Sequence, residues 1–153
     1  MNDSAFLLDS NIWVALAFEK HPAHLSALDT FANASPTRPA CFCRATQQSF
    51  LRLASTPAIF RSYGVSAMTN DDVLRSFELF TSLETVAFRD EPSGLAALWP
   101  RLAARSSASP KVWMDAYLAA YAITAGLTMV TADSDFKGFK AGGLDLVLID
   151  TAK

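Results

Sequence analysis

Apolar residues fall along this chain in two rhythms. Short unbroken runs stop abruptly at polar residues: Ala5-Phe6-Leu7-Leu8 before Asp9, and Ala40-Cys41-Phe42-Cys43 before Arg44. Thr85 to Phe88, Leu127 to Thr131 and Leu146 to Ile149 follow the same habit. Such runs predict strands covered on both faces, as in a parallel sheet. Between them, apolar residues recur at helical spacing. A helix is predicted to start at once after Asp9, capped by Ser10 or Asn11. Others are predicted over 21–34, with Leu25 and Leu28 on one face, and over 46–55, with Phe50, Leu51 and Leu53 apolar. Pro57 is expected to end the second of these, leaving 58–70 irregular. Asn70 is expected to cap a helix carrying Val73, Phe77 and Phe80. Two more are predicted over 93–105 and 112–125, the latter closed by Gly126. Strands alternating with helices predict a layered α/β fold with a mostly parallel sheet and right-handed crossovers. No linker divides residues 1–153, which read as a single domain.

Composition narrows the picture. Hydrophobic residues are 51% of the 153 and charged residues 18%, too apolar a mix for a disordered chain. A net charge of −2 excludes a broadly basic coat for gripping nucleic acid, though not a nuclease with a local basic path. No apolar run reaches the ~20 residues that span a bilayer, so no membrane association is expected. The opening residues lack the positive region of a secretory signal. Cys41 and Cys43 are expected to point apart and stay unpaired, and free thiols suggest a reducing, cytoplasmic setting.

The chemistry lies in the placement of acids. Asp9 sits at the carboxyl end of the first strand, the edge where ligands bind in open α/β sheets. Asp133 and Asp135 follow the strand that ends at Thr131 and can share that edge. Asp115 lies on a helical face with Leu118, Ala119 and Ala122. A lone carboxylate on so apolar a face is costly unless something compensates its charge. A bland reading exists for each acid: capping for those after strands, and a favourable first-turn position for Asp115. Together they offer hard oxygen ligands without nearby Cys or His, a set that selects Mg²⁺ or Mn²⁺ over Zn²⁺. Such a site suits metal-assisted phosphodiester hydrolysis.

These residues carry a family resemblance. The chain resembles the PIN-domain ribonucleases, in particular the VapC toxins of bacterial toxin–antitoxin pairs. The matching stretches are 7–16 (Leu-Leu-Asp-Ser-Asn-Ile-Trp-Val-Ala-Leu), 21–24, 46–53 (Thr-Gln-Gln-Ser-Phe-Leu-Arg-Leu), 55–58, 115–120 (Asp-Ala-Tyr-Leu-Ala-Ala) and 130–136 (Val-Thr-Ala-Asp-Ser-Asp-Phe). They run in family order over nearly the whole chain. The resemblance implies a three-layer sandwich, with a central, mostly parallel sheet flanked by helices. It also implies a Mg²⁺ or Mn²⁺ site, an RNA substrate such as tRNA and a VapB-like antitoxin. The high apolar fraction predicts an exposed patch that binds the antitoxin and a second copy of the chain as a homodimer. Carried over by position, Asp9, Asp115 and Asp133 are the expected metal ligands, with Asp135 as a catalytic helper. Asn11 and Thr131 are expected to support the first acid.

One departure stands out. The family's second acid is commonly a Glu on the helix after the second strand. Here that stretch reads Gln47-Gln48-Ser49, and no carboxylate occurs between Arg38 and Asp71. Gln47 or Gln48 is the expected neutral substitute, with Gln47 taken as the supporting residue. Arg44, Arg52, Lys111 and Lys137 are candidates for an RNA path, with solvated surface charge as the plainer reading. His21 and His24 are expected to cap and pack. Two rivals to the nuclease are a catalytically degenerate binding module of the same fold and a phosphoacceptor domain built on Asp9. The second lacks an acidic pair ahead of Asp9 and a lysine after the 127–131 strand.

Overall fold

In a computed structural model, which describes residues 4–150, the five short runs pair into one sheet. The strands are β1 (Phe6–Leu8), β2 (Ala40–Phe42), β3 (Val86–Phe88), β4 (Thr128–Thr131) and β5 (Leu146–Leu148). Their order is β3-β2-β1-β4-β5 and every pairing is parallel. All carboxyl ends therefore reach the same edge. The chain moves outward from β1 to β2 and β3, then crosses back to place β4 on the other flank of β1. That reversal lies between β1 and β4, where an open parallel sheet leaves a crevice.

Alternation along the strands builds two cores. Phe6 and Leu8 of β1, Ala40 and Phe42 of β2, and Val130 of β4 face one side. There they meet α1 (Ser10–Ala17), α2 (His24–Phe31), α3 (Arg44–Ala54), α4 (Pro57–Ser62) and α5 (Asn70–Thr81). Trp13 of α1 stacks on Phe42 with ring centroids 3.8 Å apart. Leu7, Cys41 and Met129 face the other side, against α6 (Leu95–Ala103), α7 (Pro110–Ala125) and a 3-10 helix (Ser134–Gly142). Ala116, Ala119, Ala120 and Ala122 are fully buried there, and their small size lets α7 lie close to the sheet. The sequence's α/β expectation, with helices on both faces, is met.

Several local readings need correction. Cys41 and Cys43 are free, but both belong to the second core. Residues two apart on a strand share a face, so the expectation that they point apart was wrong. Leu25 and Leu28 are exposed, and α2 instead buries Ala27. Pro57 begins α4 rather than merely stopping α3, using the one helical position where its missing N–H costs nothing. The cap of α5 is Thr69, whose hydroxyl accepts from the Asp72 N–H while Asp72 accepts from the Thr69 N–H. The last helix closes as predicted, with Gly126 at φ 69°.

Candidate active site

The crevice at the β1–β4 reversal is lined with acid. Asp9 is the N-cap of α1, a place the sequence reading had given to Ser10 or Asn11. One of its carboxylate oxygens accepts from the Ser10 N–H at 2.7 Å. The other accepts from the Thr131 hydroxyl at 2.8 Å. Thr131 Oγ1 in turn accepts from the Asp133 N–H at 3.1 Å and from Asn11 Nδ2 at 3.3 Å. Asn11 Oδ1 takes the Ala132 N–H, also at 3.3 Å. A hydroxyl has one proton and two lone pairs, and here all are used. Asn11 and Thr131 thus tie the end of β4 to Asp9.

Asp9 is buried, with 8% of its surface exposed. Burial pushes its carboxyl above the ordinary Asp range. The bonds from Thr131 and Ser10 oppose that shift, and the negative charges of Asp115 and Asp133 add to it.

The other three acids form a ring. One carboxylate oxygen from each of Asp115, Asp133 and Asp135 lies within 4.8 Å of the other two. Asp115 projects from α7 at the end of its buried alanine stripe. Asp133 caps the 3-10 helix by accepting the Asp135 N–H at 2.9 Å. The expected ligand trio was Asp9, Asp115 and Asp133. The tight group instead contains Asp135, while Asp9 stands beside it with its oxygens turned to Thr131 and Ser10.

Lys111 fills the ring. Its Nζ donates to Asp133 at 2.7 Å, Asp115 at 2.9 Å and Asp135 at 3.0 Å. These bonds, led by that to Asp133, hold the ammonium well above the usual Lys range. Burial pushes the Asp133 carboxyl up, but the bonds from Lys111 and the Asp135 N–H outweigh it and hold it below the usual range. Lys111 was expected on an RNA path; the structure turns it into the acids.

An open cavity of about 450 Å³ joins Asp9, Asp115 and Lys111 to Ser49, Arg52 and Trp113. Arg52 therefore borders the site. Arg44 does not line it: its guanidinium lies 4.7 Å from the centre of the Phe88 ring, and it bonds the Gln47 side chain. Gln47 does not line the cavity either. The face of α3 that does carries Ala45, Thr46, Ser49, Arg52 and Leu53, which follow helical spacing. The Gln47 expectation thus missed the facing position by two residues. Lys137 is exposed on the 3-10 helix. Away from the site, His21 Nδ1 accepts from the Ala23 N–H and His24 donates to the Ala15 carbonyl, the packing roles expected.

All the ring's donors are carboxylate oxygens and a cation already sits among them, so the residues fit a hard divalent ion. Comparison with known proteins places the chain in a family. The PIN domain model matches residues 6–141. Ribonuclease VapC41 of Mycobacterium tuberculosis is 40% identical over 144 residues, which are 94% of this chain and 97% of that protein. By shape, the chain is similar to VapBC2 from Rickettsia felis, solved bound to a DNA fragment of its promoter. That match has a TM-score of 0.66 and 15% identity, and it covers 95% of this chain and 99% of the other. The Mycobacterium tuberculosis toxin VapC20, which cleaves the sarcin–ricin loop, superposes with a TM-score of 0.60 at 18% identity over 92% of this chain and 96% of its own. The chain belongs to the PIN-domain family, on its VapC ribonuclease branch.

Proposed function

We propose that residues 1–153 act as one metal-dependent endoribonuclease domain, the toxin of a VapBC-type pair. The observation that carries this reading is the convergence of Asp9, Asp115, Asp133 and Asp135 on the carboxyl edge at the sheet's reversal point. Asp115, Asp133 and Asp135, with Asp9 behind them, would hold Mg²⁺ or Mn²⁺. When bound, such an ion polarises a scissile phosphate and lowers the pKa of water at the site. Thr131, Asn11 and the Ser10 N–H fix the orientation of Asp9. Asp135 is the most exposed of the ring's acids and adds charge at its solvent side. Arg52, across the cavity, offers a fork of N–H donors to an RNA phosphate.

Partners follow from the same membership. The relative VapBC2 is a toxin–antitoxin complex, which supports a VapB-like antitoxin for this chain. Exposed Trp113, Met114, Leu25 and Leu79 offer apolar surface for that antitoxin and for a second copy in a homodimer. Among the described residues no helix is long and apolar enough to cross a membrane. A cytoplasmic location is part of the proposal, since RNA and antitoxin are met there.

The test is cleavage of a structured RNA such as tRNA, with Mg²⁺ or Mn²⁺, by wild type beside Asp9→Asn. Wild type should cut and EDTA should stop it. Equal cleavage by both proteins, or cleavage that survives EDTA, contradicts the reading.

A further inference from the structure

We infer that Lys111 is a built-in competitor of the divalent cation. Its ammonium occupies the acid ring when no metal is bound and must leave for an ion to enter, so Lys111 sets the metal affinity of the site. This rests on the reading of the ring as a metal site.

The geometry is specific. An ammonium has three N–H donors, and here each meets a different carboxylate, at 2.7, 2.9 and 3.0 Å. A divalent ion seeking those oxygens meets a site whose negative charge is already partly neutralised. Local helix energetics do not explain why a lysine stands there. Lys111 lies in the first turn of α7, where the helix dipole disfavours a cation. A Lys four residues before its Asp is also the weaker orientation of such a pair. It is the ring of acids that holds the side chain. Exit is open, because 61% of the Lys111 side chain is exposed and its flexible stem can swing into water. The half-buried acids would then keep their positions: Asp133 through the Asp135 and Thr131 bonds, and Asp115 through the packed face of α7. The consequence is a threshold: little ion is held at low metal, and the ring stays assembled while it waits.

The test is calorimetric titration of MnCl₂ into wild type, Lys111→Met, Lys111→Arg and Asp115→Asn. Lys111→Met should bind Mn²⁺ at least ~10-fold more tightly, since it removes a charge that must otherwise be displaced. Lys111→Arg should stay near wild type. Without metal, Lys111→Met should melt lower than wild type, because three acids lose their counter-ion, and it should gain more from added Mn²⁺. Unaltered or weaker Mn²⁺ binding by Lys111→Met, beside a wild type that binds and an Asp115→Asn that does not, overturns the role of Lys111 and leaves the metal site standing. Absence of Mn²⁺ binding in every protein overturns both. A readout on wild type guards against a variant that fails to fold. The Lys111 ammonium NMR signal should move and exchange faster when MgCl₂ is added, and a signal indifferent to saturating MgCl₂ overturns the inference.

Discussion

Asp9 and the Asp115–Asp133–Asp135 ring solve the problem of holding negative charge in opposite ways. Asp9 is buried and fixed by its own neighbourhood: a helix N-terminus, a threonine hydroxyl and an asparagine amide, all on the β1–β4 seam. The ring lies nearer the solvent and is held by one exposed lysine ammonium. The fold thus supplies a rigid anchor, and α7 with the 3-10 helix supplies an adjustable partner. On the proposed reading, an ion would replace the ammonium without disturbing the sheet.

The largest effect should come from asking which acids the chemistry needs. Asp115→Asn should lower RNA cleavage at least about 100-fold, the scale seen when one preorganised charge-stabilising group is removed. Asp135→Asn should cost about tenfold or less, because an exposed charge contributes little. Initial rates at saturating Mg²⁺ make the comparison, and equal losses would erase the distinction between half-buried and exposed acids.

Rigidity of the anchor is the next point. Thr131→Val strips the bond to Asp9 and orphans the Asp133 N–H. It should lower stability by about 1–3 kcal/mol, the cost of leaving buried polar groups unmade. Urea unfolding gives the number, and a loss near zero would mean that the seam is not what fixes Asp9.

The α3 face, which brings no carboxylate to the cavity, invites a sharper test. Ser49→Glu should place a carboxylate on the cavity and tighten Mn²⁺ binding several-fold, whereas Gln47→Glu, aimed at Arg44, should leave it nearly unchanged. The reverse order would restore Gln47 as the residue facing the acids.

A smaller effect concerns charge burial at Asp9. Its raised pKa means that the native state holds this proton more tightly than the unfolded chain does. That contribution is fully present below the unfolded Asp value, near ~3.9, and is lost as pH rises through the native value. Without metal at pH 7, Asp9→Asn should therefore melt above wild type, since Asn caps as well as Asp and carries no charge. The gap should narrow as pH falls. A variant that melts lower at pH 7 would show that the hydrogen bonds of the ionised carboxylate outweigh its burial.

Much of this was legible in the sequence, and the failures have physical causes. The strands were readable because unbroken apolar runs have few other uses in so short a chain. Asp9 and Asp115 were readable because each interrupts an apolar context. Three things were hidden. The facing residue of α3 was lost because Gln47, Gln48 and Ser49 are consecutive polar residues, and only the packed phase of the helix tells them apart; the buried Thr46, Phe50 and Ala54 fix that phase. The 3-10 helix was missed because Gly138 and Gly142 dilute its signal, although Phe136 and Phe139 anchor it at its own three-residue spacing. The place of Lys111 was hidden because the sequence shows only its four-residue offset from Asp115, a spacing that solvated pairs share. Asp133 and Asp135, more than twenty residues away, turn that pair into a ring.

The central claim is that the buried anchor and the open ring form one divalent site. Anomalous diffraction from crystals soaked in Mn²⁺ tests it directly. The account predicts a single strong peak at the carboxyl edge between β1 and β4, bonded to Asp115 and Asp133 oxygens, with Asp9 facing it and the Lys111 ammonium withdrawn. Crystals soaked at millimolar Mn²⁺ that show no peak at this edge, with Lys111 still bonded to all three acids, would contradict it.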